Sequence, residues 1–304
     1  RSGAEGNPNI PPAQSPGVSR HCKCDPSNIM RNERYDFLHL PKEFHRQHKS
    51  CEFLLYQIED FVTAEPFKGL RAQTVQFDKE IELSDGEHIL DYLLRTDKSN
   101  KHDEIITSHI LNAVIADSCQ FLQIALFASL QQRLTVTFSL IRKPFVYNLL
   151  VILRLYLTSD FLEKFIKEDS FDTTGISQED IIELLNATEN LLLSKSIKAS
   201  DLYDFIFNPA LSDSLVNMSN KALHPSTTRN KNNKTEIQNI NFVFSTKDSI
   251  LTQWDYLYRR LPLLLLYLNE ILEIFLFDHL KLDNEIYVER LTERANFFKQ
   301  NNAC

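Results

Sequence analysis

Glycine is scarce in this sequence, and several motifs that would indicate a catalytic function are missing. Only 6 of the 304 residues are glycine, against 21 phenylalanines, which disfavours a turn-rich β architecture and favours helices with bulky aromatic cores. The sequence contains no glycine-rich phosphate loop, no Gly-x-Ser-x-Gly elbow and no His-Glu-x-x-His pair. These absences argue against the common nucleotide-binding, α/β-hydrolase and zinc-peptidase classes.

A basic excess is absent as well. The formal net charge of -8 disfavours a protein wrapped around nucleic acid, although a local basic patch remains open. The five cysteines do not form the dense, regular framework of a disulfide-rich protein. No charged-then-apolar leader is visible. We therefore expect a cytoplasmic protein in a reducing compartment.

The longest apolar stretches do not predict membrane spans. Residues 261–277 include Glu270 and Glu273, and a carboxylate near the centre of a bilayer is costly. The apolar helix predicted at 104–130 is similarly interrupted by His109 and Asp117. We expect no membrane association.

Apolar residues recur at helical spacing along most of the chain, which predicts an all-α bundle of about eight helices. Ser177 with Asp180 has the spacing of a capping box and marks one helix start. Pro144 should kink the helix that contains it. Apolar residues alternate in 75–83 and 240–244, which predicts one small two-stranded β ribbon.

The composition divides the chain into an arm and a helical domain. Residues 1–40 begin with a run rich in proline, glycine and serine and are predicted to form a flexible arm. Residues 41–304 are predicted to form a single helical-bundle domain. Within it, 41–100 would be an accessory N-terminal part and 104–304 the core.

A cluster of possible zinc ligands lies near the arm. His45, His48 and Cys51 have the spacing to share one face of a helix, and Cys22 with Cys24 could complete a tetrahedral set from the arm. Such a zinc ion would be structural and would pin the arm to the first helix. The alternative is that these five are ordinary surface and core residues.

A second set of polar residues interrupts two long apolar helices. His109 and Asp117 are eight residues apart on one helix, and Arg142 and Asn148 lie on the next. Because a short connection makes these helices antiparallel neighbours, we expect Asp117 to meet Arg142, with Asn148 or a histidine joining them. With His224, these residues would line a polar pocket; the alternative is a structural ion pair that fixes the helix register.

His224 opens a polar loop that contains Arg229, Lys231 and Lys234. Basic side chains on a loop can contact phosphate, which leaves RNA as a possible partner. The alternative is a solvated surface loop without a ligand.

The stretches FSLIRKPFVYNLL, which contains Arg142, and SNKALHPS, which contains His224, resemble HEPN-like helical bundles. These bacterial and archaeal proteins occur in toxin–antitoxin and phage-defence systems, and the resemblance covers about 104–280. It implies an α-bundle that often dimerises. In the active branches an arginine and a histidine cleave RNA without a metal, and Arg142 and His224 are the corresponding candidates here.

Taken together, these patterns predict a protein that works by binding a protein partner or a second copy of itself, possibly in a bacterial defence or regulatory system. No cofactor is expected beyond the possible structural zinc. The alternative is a HEPN-like, metal-independent ribonuclease with a non-standard site formed by Arg142 and His224.

Overall fold

Helices build the fold throughout the part of the chain that the structure describes. The computed structural model describes residues 37–77, 83–84, 86–192, 197–227, 234–241 and 247–302. Eleven α-helices occur in these ranges: α1 (His45–Thr63), α2 (Ile89–Arg95), α3 (Ser99–Leu130), α4 (Leu134–Arg142), α5 (Leu149–Leu157), α6 (Phe161–Lys167), α7 (Gln178–Glu189), α8 (Ala199–Ile206), α9 (Leu215–Leu223), α10 (Lys247–Leu280) and α11 (Asn284–Asn302). The all-α prediction is confirmed, with more helices than expected.

The capping box of Ser177 and Asp180 is confirmed at the start of α7, where both reciprocal hydrogen bonds form. The helix α9 begins at Leu215. The Asn208 side chain accepts a hydrogen bond from the backbone N–H of Ala210 and so stabilises a turn before the helix.

The predicted β ribbon is not seen in the described residues. Residues 75–77 and 240–241 are extended or turn-like and form no strand, and residues 78–82 and 242–246 lie outside the described ranges.

Pro144 changes the kind of helix without interrupting it. Residues Lys143–Asn148 form one π-helical segment between α4 and α5, in which the N–H of Leu149 bonds the carbonyl of Pro144. Proline has no N–H to donate. A wider turn accommodates this lost bond and adds one residue to the helical path.

The hydrophobic core lies where α1, α3 and α10 pack together. α1 packs against both long helices, and α4 runs back along α3 and packs against α9 on its other side. Leu54 and Ile58 of α1 are fully buried against this core, as are Ile115 of α3 and Leu265 of α10. Residues from Phe37 onward form one compact unit; the predicted division at 100–104 stays a prediction.

Two helical stretches have the length and composition to cross a membrane. They are α3 and the continuous stretch Leu134–Leu157, with mean hydropathy of 1.5 and 1.4 in their most apolar windows. The protein itself buries 44% of the first window and 61% of the second. These two helices are consistent with a soluble protein whose core they form.

Candidate functional site

Asp117 lies in a polar cluster between α3 and the π-helical segment. Its two carboxylate oxygens accept hydrogen bonds from Lys143 Nζ at 2.7 Å and from Asn148 Nδ2 at 2.8 Å. Asn148 also donates to Ser118 Oγ at 2.9 Å. The expected meeting of Asp117 and Asn148 is confirmed.

The expected pair of Asp117 and Arg142 is wrong, because Lys143 takes that place. Consecutive residues of a helix point in directions about 100° apart, so only one of them can face α3. Arg142 turns instead toward α9, where it donates to Ser219 Oγ at 3.0 Å and Asn220 Oδ1 at 2.5 Å. Counting residues from the connection could not separate these two neighbours.

His224 lies just beyond the C-terminus of α9, and its backbone N–H bonds the carbonyl of Asn220 at 3.0 Å. Arg142 therefore contacts α9 one turn before His224. His109 is exposed on α3 and forms no described hydrogen bond with the other four residues. The five predicted pocket residues do not form one cluster, and the ribonuclease role of Arg142 and His224 stays a prediction.

The loop that begins at His224 is closed by hydrogen bonds at its base. The N–H of Thr235 donates to the carbonyl of Thr227 at 2.9 Å. Asn241 donates from its side chain to the carbonyl of His224 at 2.9 Å and from its backbone to that of Pro225 at 2.7 Å. Residues 228–233, which include Arg229 and Lys231, lie outside the described ranges.

The possible zinc ligands of α1 have protein partners. His45 Nε2 bonds the carbonyl of Leu40 at 2.8 Å, and His48 Nδ1 bonds the hydroxyl of Tyr258 at 2.7 Å. Cys51 is a fully buried free thiol. Within the described residues, no group of three His, Cys, Asp or Glu is arranged to hold a metal ion. Cys22 and Cys24 lie outside those residues, and the zinc site stays a prediction.

His48 belongs to a buried hydrogen-bonded chain that the sequence did not reveal. The Tyr258 hydroxyl lies 2.7 Å from His48 Nδ1 and 2.6 Å from Ser129 Oγ. Burial and the charge of His45 lower the pKa of His48 to about 4, so its ring is neutral at pH 7. Burial raises the pKa of Glu52, whose carboxylate lies 3.4 Å from His48 Nε2, to about 7. The chain ties together α1, α3 and α10.

A second buried network holds α11 against the core. Glu273 Oε1 accepts hydrogen bonds from Arg290 Nε at 2.9 Å and from Arg294 NH2 at 2.5 Å. The guanidinium of Arg290 also lies over the ring of Phe61 at 4.3 Å, and Arg294 Nε bonds Gln57 Oε1 at 2.8 Å. Glu273, which interrupts the apolar stretch of α10, is thus the buried partner of two arginines.

A surface cleft of about 590 Å³ lies beside the end of α10 and is lined by Gln73, Lys101 and His279 among others. Behind it, Ser108 Oγ lies 2.7 Å from His279 Nε2, and burial lowers the pKa of this histidine. The distance suits a nucleophile and its base. Ser108, however, is 2% exposed and does not line the cleft. A bound substrate has no access to it, so the pair has a structural role.

No family model, curated protein or solved structure matches this chain. The HEPN-like resemblance therefore stays an expectation.

An apolar surface runs along the outside of the α3–α4 hairpin. Ile124 and Phe127 of α3 are 55% and 54% exposed, and Val136 of α4 is 47% exposed. Thr137 Oγ1 bonds the carbonyl of Ala125 at 3.1 Å, which sets these two helices in register. We call the exposed side chains of Ile124, Phe127 and Val136 the hairpin face.

The hairpin face lies in an almost uncharged part of the chain. Arg133 is the one charged residue in 118–141, whereas 24% of the whole sequence is charged. The polar residues near the face are mainly glutamines: Gln120, Gln123, Gln131 and Gln132. An apolar centre with few charges and an amide-rich surround is typical of protein–protein interfaces.

Proposed function

We propose that this protein works by self-association through the hairpin face, which packs against the same face of a second copy. The supporting observation is the exposure of Ile124, Phe127 and Val136 on two packed helices. A two-fold dimer places the same patch on both sides of its interface. Burial of these three side chains then removes apolar surface from water in both copies at once.

The charge distribution makes the hairpin face the place where a second copy can approach. Each copy carries a formal charge of -8, so two copies repel each other through most of their surfaces. The segment 118–141, with Arg133 as its one charged residue, is where two identical chains approach with the least repulsion. A dimer is also what the HEPN-like resemblance implies.

The membrane is a weaker candidate for this surface. The helices that carry the hairpin face also supply core residues such as Leu122 and Phe138, both fully buried. Insertion of α3 into a bilayer would require this core to open. The cytoplasmic location belongs to the same proposal, because Cys51 and Cys119 are free, buried thiols suited to a reducing compartment.

The test is the mass of the full chain in solution, measured by light scattering and sedimentation over a range of concentrations. We expect a dimer for the wild-type protein and a monomer for the double variant Ile124→Glu, Phe127→Glu, since two buried carboxylates per copy would be desolvated at the interface. Val288→Glu is the matched control. Val288 is 58% exposed on α11, so this variant should remain a dimer.

A wild-type protein that is monomeric at every concentration would overturn the proposal. So would a dimer that survives in the double variant, provided that circular dichroism shows both proteins folded. Co-sedimentation of the monomeric protein with vesicles of phosphatidylcholine and phosphatidylglycerol would assign the hairpin face to a lipid surface.

A further inference from the structure

Arg142 is a half-buried cation that the fold surrounds with neutral acceptors. Its Nε–H donates to the hydroxyl of Tyr147 at 2.9 Å. Its NH1 donates to the carbonyl of Val216 at 3.4 Å, to Ser219 Oγ at 3.0 Å and to Asn220 Oδ1 at 2.5 Å. Within the described part of the chain, no carboxylate forms an ion pair with this guanidinium. No carboxylate of the described residues therefore neutralises its positive charge.

Three other arginines of low exposure pair with a carboxylate, whereas the buried Arg154 donates to the backbone carbonyl of Asp172 at 3.0 Å. Arg260 pairs with Asp213 at 2.7 Å. Arg290 and Arg294 both pair with Glu273. Lys143, the neighbour of Arg142, is neutralised by Asp117. Arg142 thus differs from these paired cations and shares with Arg154 the lack of a carboxylate ion pair among the described residues.

The hydrogen bonds around Arg142 do not use all the donor hydrogens of the side chains that form them. A guanidinium can only donate, so Asn220 must turn its amide oxygen toward Arg142 and its amide nitrogen away. Tyr147 accepts from Nε, which leaves its own hydroxyl hydrogen for another acceptor. NH2 of Arg142 has no acceptor among the described residues. Three donor groups therefore remain on Arg142 and on two side chains that contact it.

We propose that Arg142, Tyr147 and Asn220 form an oxyanion site, and that its ligand is the phosphate group of a small phosphorylated molecule. An unneutralised guanidinium has the planar fork that binds phosphate oxygens in pairs. The exposed His224 follows α9, its N–H bonds the carbonyl of Asn220, and it can add a fourth donor. Self-association through the hairpin face is not needed for this site.

The number of the donors favours phosphate over carboxylate. A phosphate monoester presents three peripheral oxygens in a tetrahedral arrangement, whereas a carboxylate presents two in one plane. The ring of Tyr147 lies 5.3 Å from the Arg142 guanidinium carbon and fixes the plane of the fork. Lys221, in the last turn of α9, adds positive charge nearby.

The test is calorimetric titration of the full chain with inorganic phosphate, adenosine monophosphate and acetate at constant ionic strength. We expect saturable binding of the two phosphates, and binding of acetate weaker by about tenfold, since one charge-assisted hydrogen bond is lost. Asn220→Asp supplies the missing carboxylate and should weaken phosphate binding by at least about tenfold. This variant should keep or raise the melting temperature, which separates a lost site from a lost fold.

Asn186→Asp is the control, because it introduces the same charge at an exposed position of α7 and should leave phosphate binding unchanged. Arg142→Gln should abolish phosphate binding. If the Arg142→Gln protein does not fold, the result with Asn220→Asp still tests the proposal. Absence of saturable phosphate binding to the wild-type protein would overturn the proposal, as would equal binding by Asn220→Asp. Binding of single-stranded RNA without binding of either small phosphate would assign this surface to a nucleic acid instead.

Discussion

Glu52 shows how burial sets the charge state of a single residue in this fold. It lies on α1 with its carboxylate 3.4 Å from His48 Nε2, and desolvation raises its pKa from 4.5 to about 7. The ionised carboxylate is therefore less stable in the folded protein than in the unfolded chain. Between these two pKa values the folded state binds more protons, so stability from this group falls as pH rises.

Glu52→Gln should remove this loss. The side chain of Glu52 is 31% exposed, so we expect a discounted gain of about 1 to 2 kcal/mol at pH 8. Urea unfolding at pH 6.5 and pH 8 measures it. His48, whose pKa is lowered to about 4 in the folded protein, is neutral there in the folded state and contributes equally to both proteins. The wild-type protein should lose more stability over this range than the variant. Equal losses would show that Glu52 does not titrate there.

Two arginines around one carboxylate set a different constraint. Arg290 and Arg294 share Glu273 Oε1, and all three residues are buried. Removal of one partner from such a network leaves a buried charge unpaired, which is far more destabilising than the loss of an exposed ion pair. The periodicity of apolar residues places Glu273 in an apolar helix. Its partners lie on a helix later in the chain, so local spacing could not predict them.

At the scale of an element, the capping box at the start of α7 allows a direct test of how much a helix cap stabilises this protein. Ser177 Oγ accepts the backbone N–H of Asp180 at 3.0 Å, and the Asp180 side chain accepts the N–H of Ser177 at 3.3 Å. Ser177→Ala should lower the free energy of unfolding by about 1 kcal/mol, since an orphan N–H loses its acceptor. Ser212→Ala, at an exposed turn position, is the control and should stay within about 0.5 kcal/mol of wild type. Denaturant unfolding curves decide between these values.

The long helices could be predicted from the sequence, whereas a short helix and the π-helical segment could not. α3 and α10 carry enough apolar residues at helical spacing to be recognised from the sequence, and the capping box marks α7. α8 is only eight residues long, too short for its periodicity to stand out. The π-helical segment at Lys143–Asn148 depends on how α4 packs between α3 and α9, and a proline alone does not reveal it.

The same tertiary dependence limited prediction of the site. Spacing correctly brought Asn148 to Asp117 but chose Arg142 over Lys143 as the cation, because both lie at the same distance from the connection. The oxyanion site needs α9 beside α4, a contact between segments far apart in the chain. From the sequence, the hairpin face was recognisable only as part of an unusually apolar stretch. Its exposure depends on which other helices pack against α3.

At the scale of the whole molecule, the buried thiols report on opening of the core. Burial raises the pKa of Cys119 to about 12, and that of Cys51 well above its usual range. In a variant with Cys22, Cys24 and Cys304 replaced by serine, a disulfide reagent at pH 8 should react roughly a hundredfold more slowly with native protein than with protein in guanidinium. Absorbance of the released thiolate measures both rates. Fast reaction of the native variant would show that α1 and α3 separate readily.

The clamp of Thr227 and Thr235 makes the adjacent loop a place to join this protein to another. The two ends of residues 228–233 are already held together by the backbone bond between these threonines. An inserted peptide or small domain therefore adds mainly loop entropy, about 0.6 kcal/mol for each doubling of loop length. A fluorescent protein grafted there would label the chain internally, with both termini left untouched.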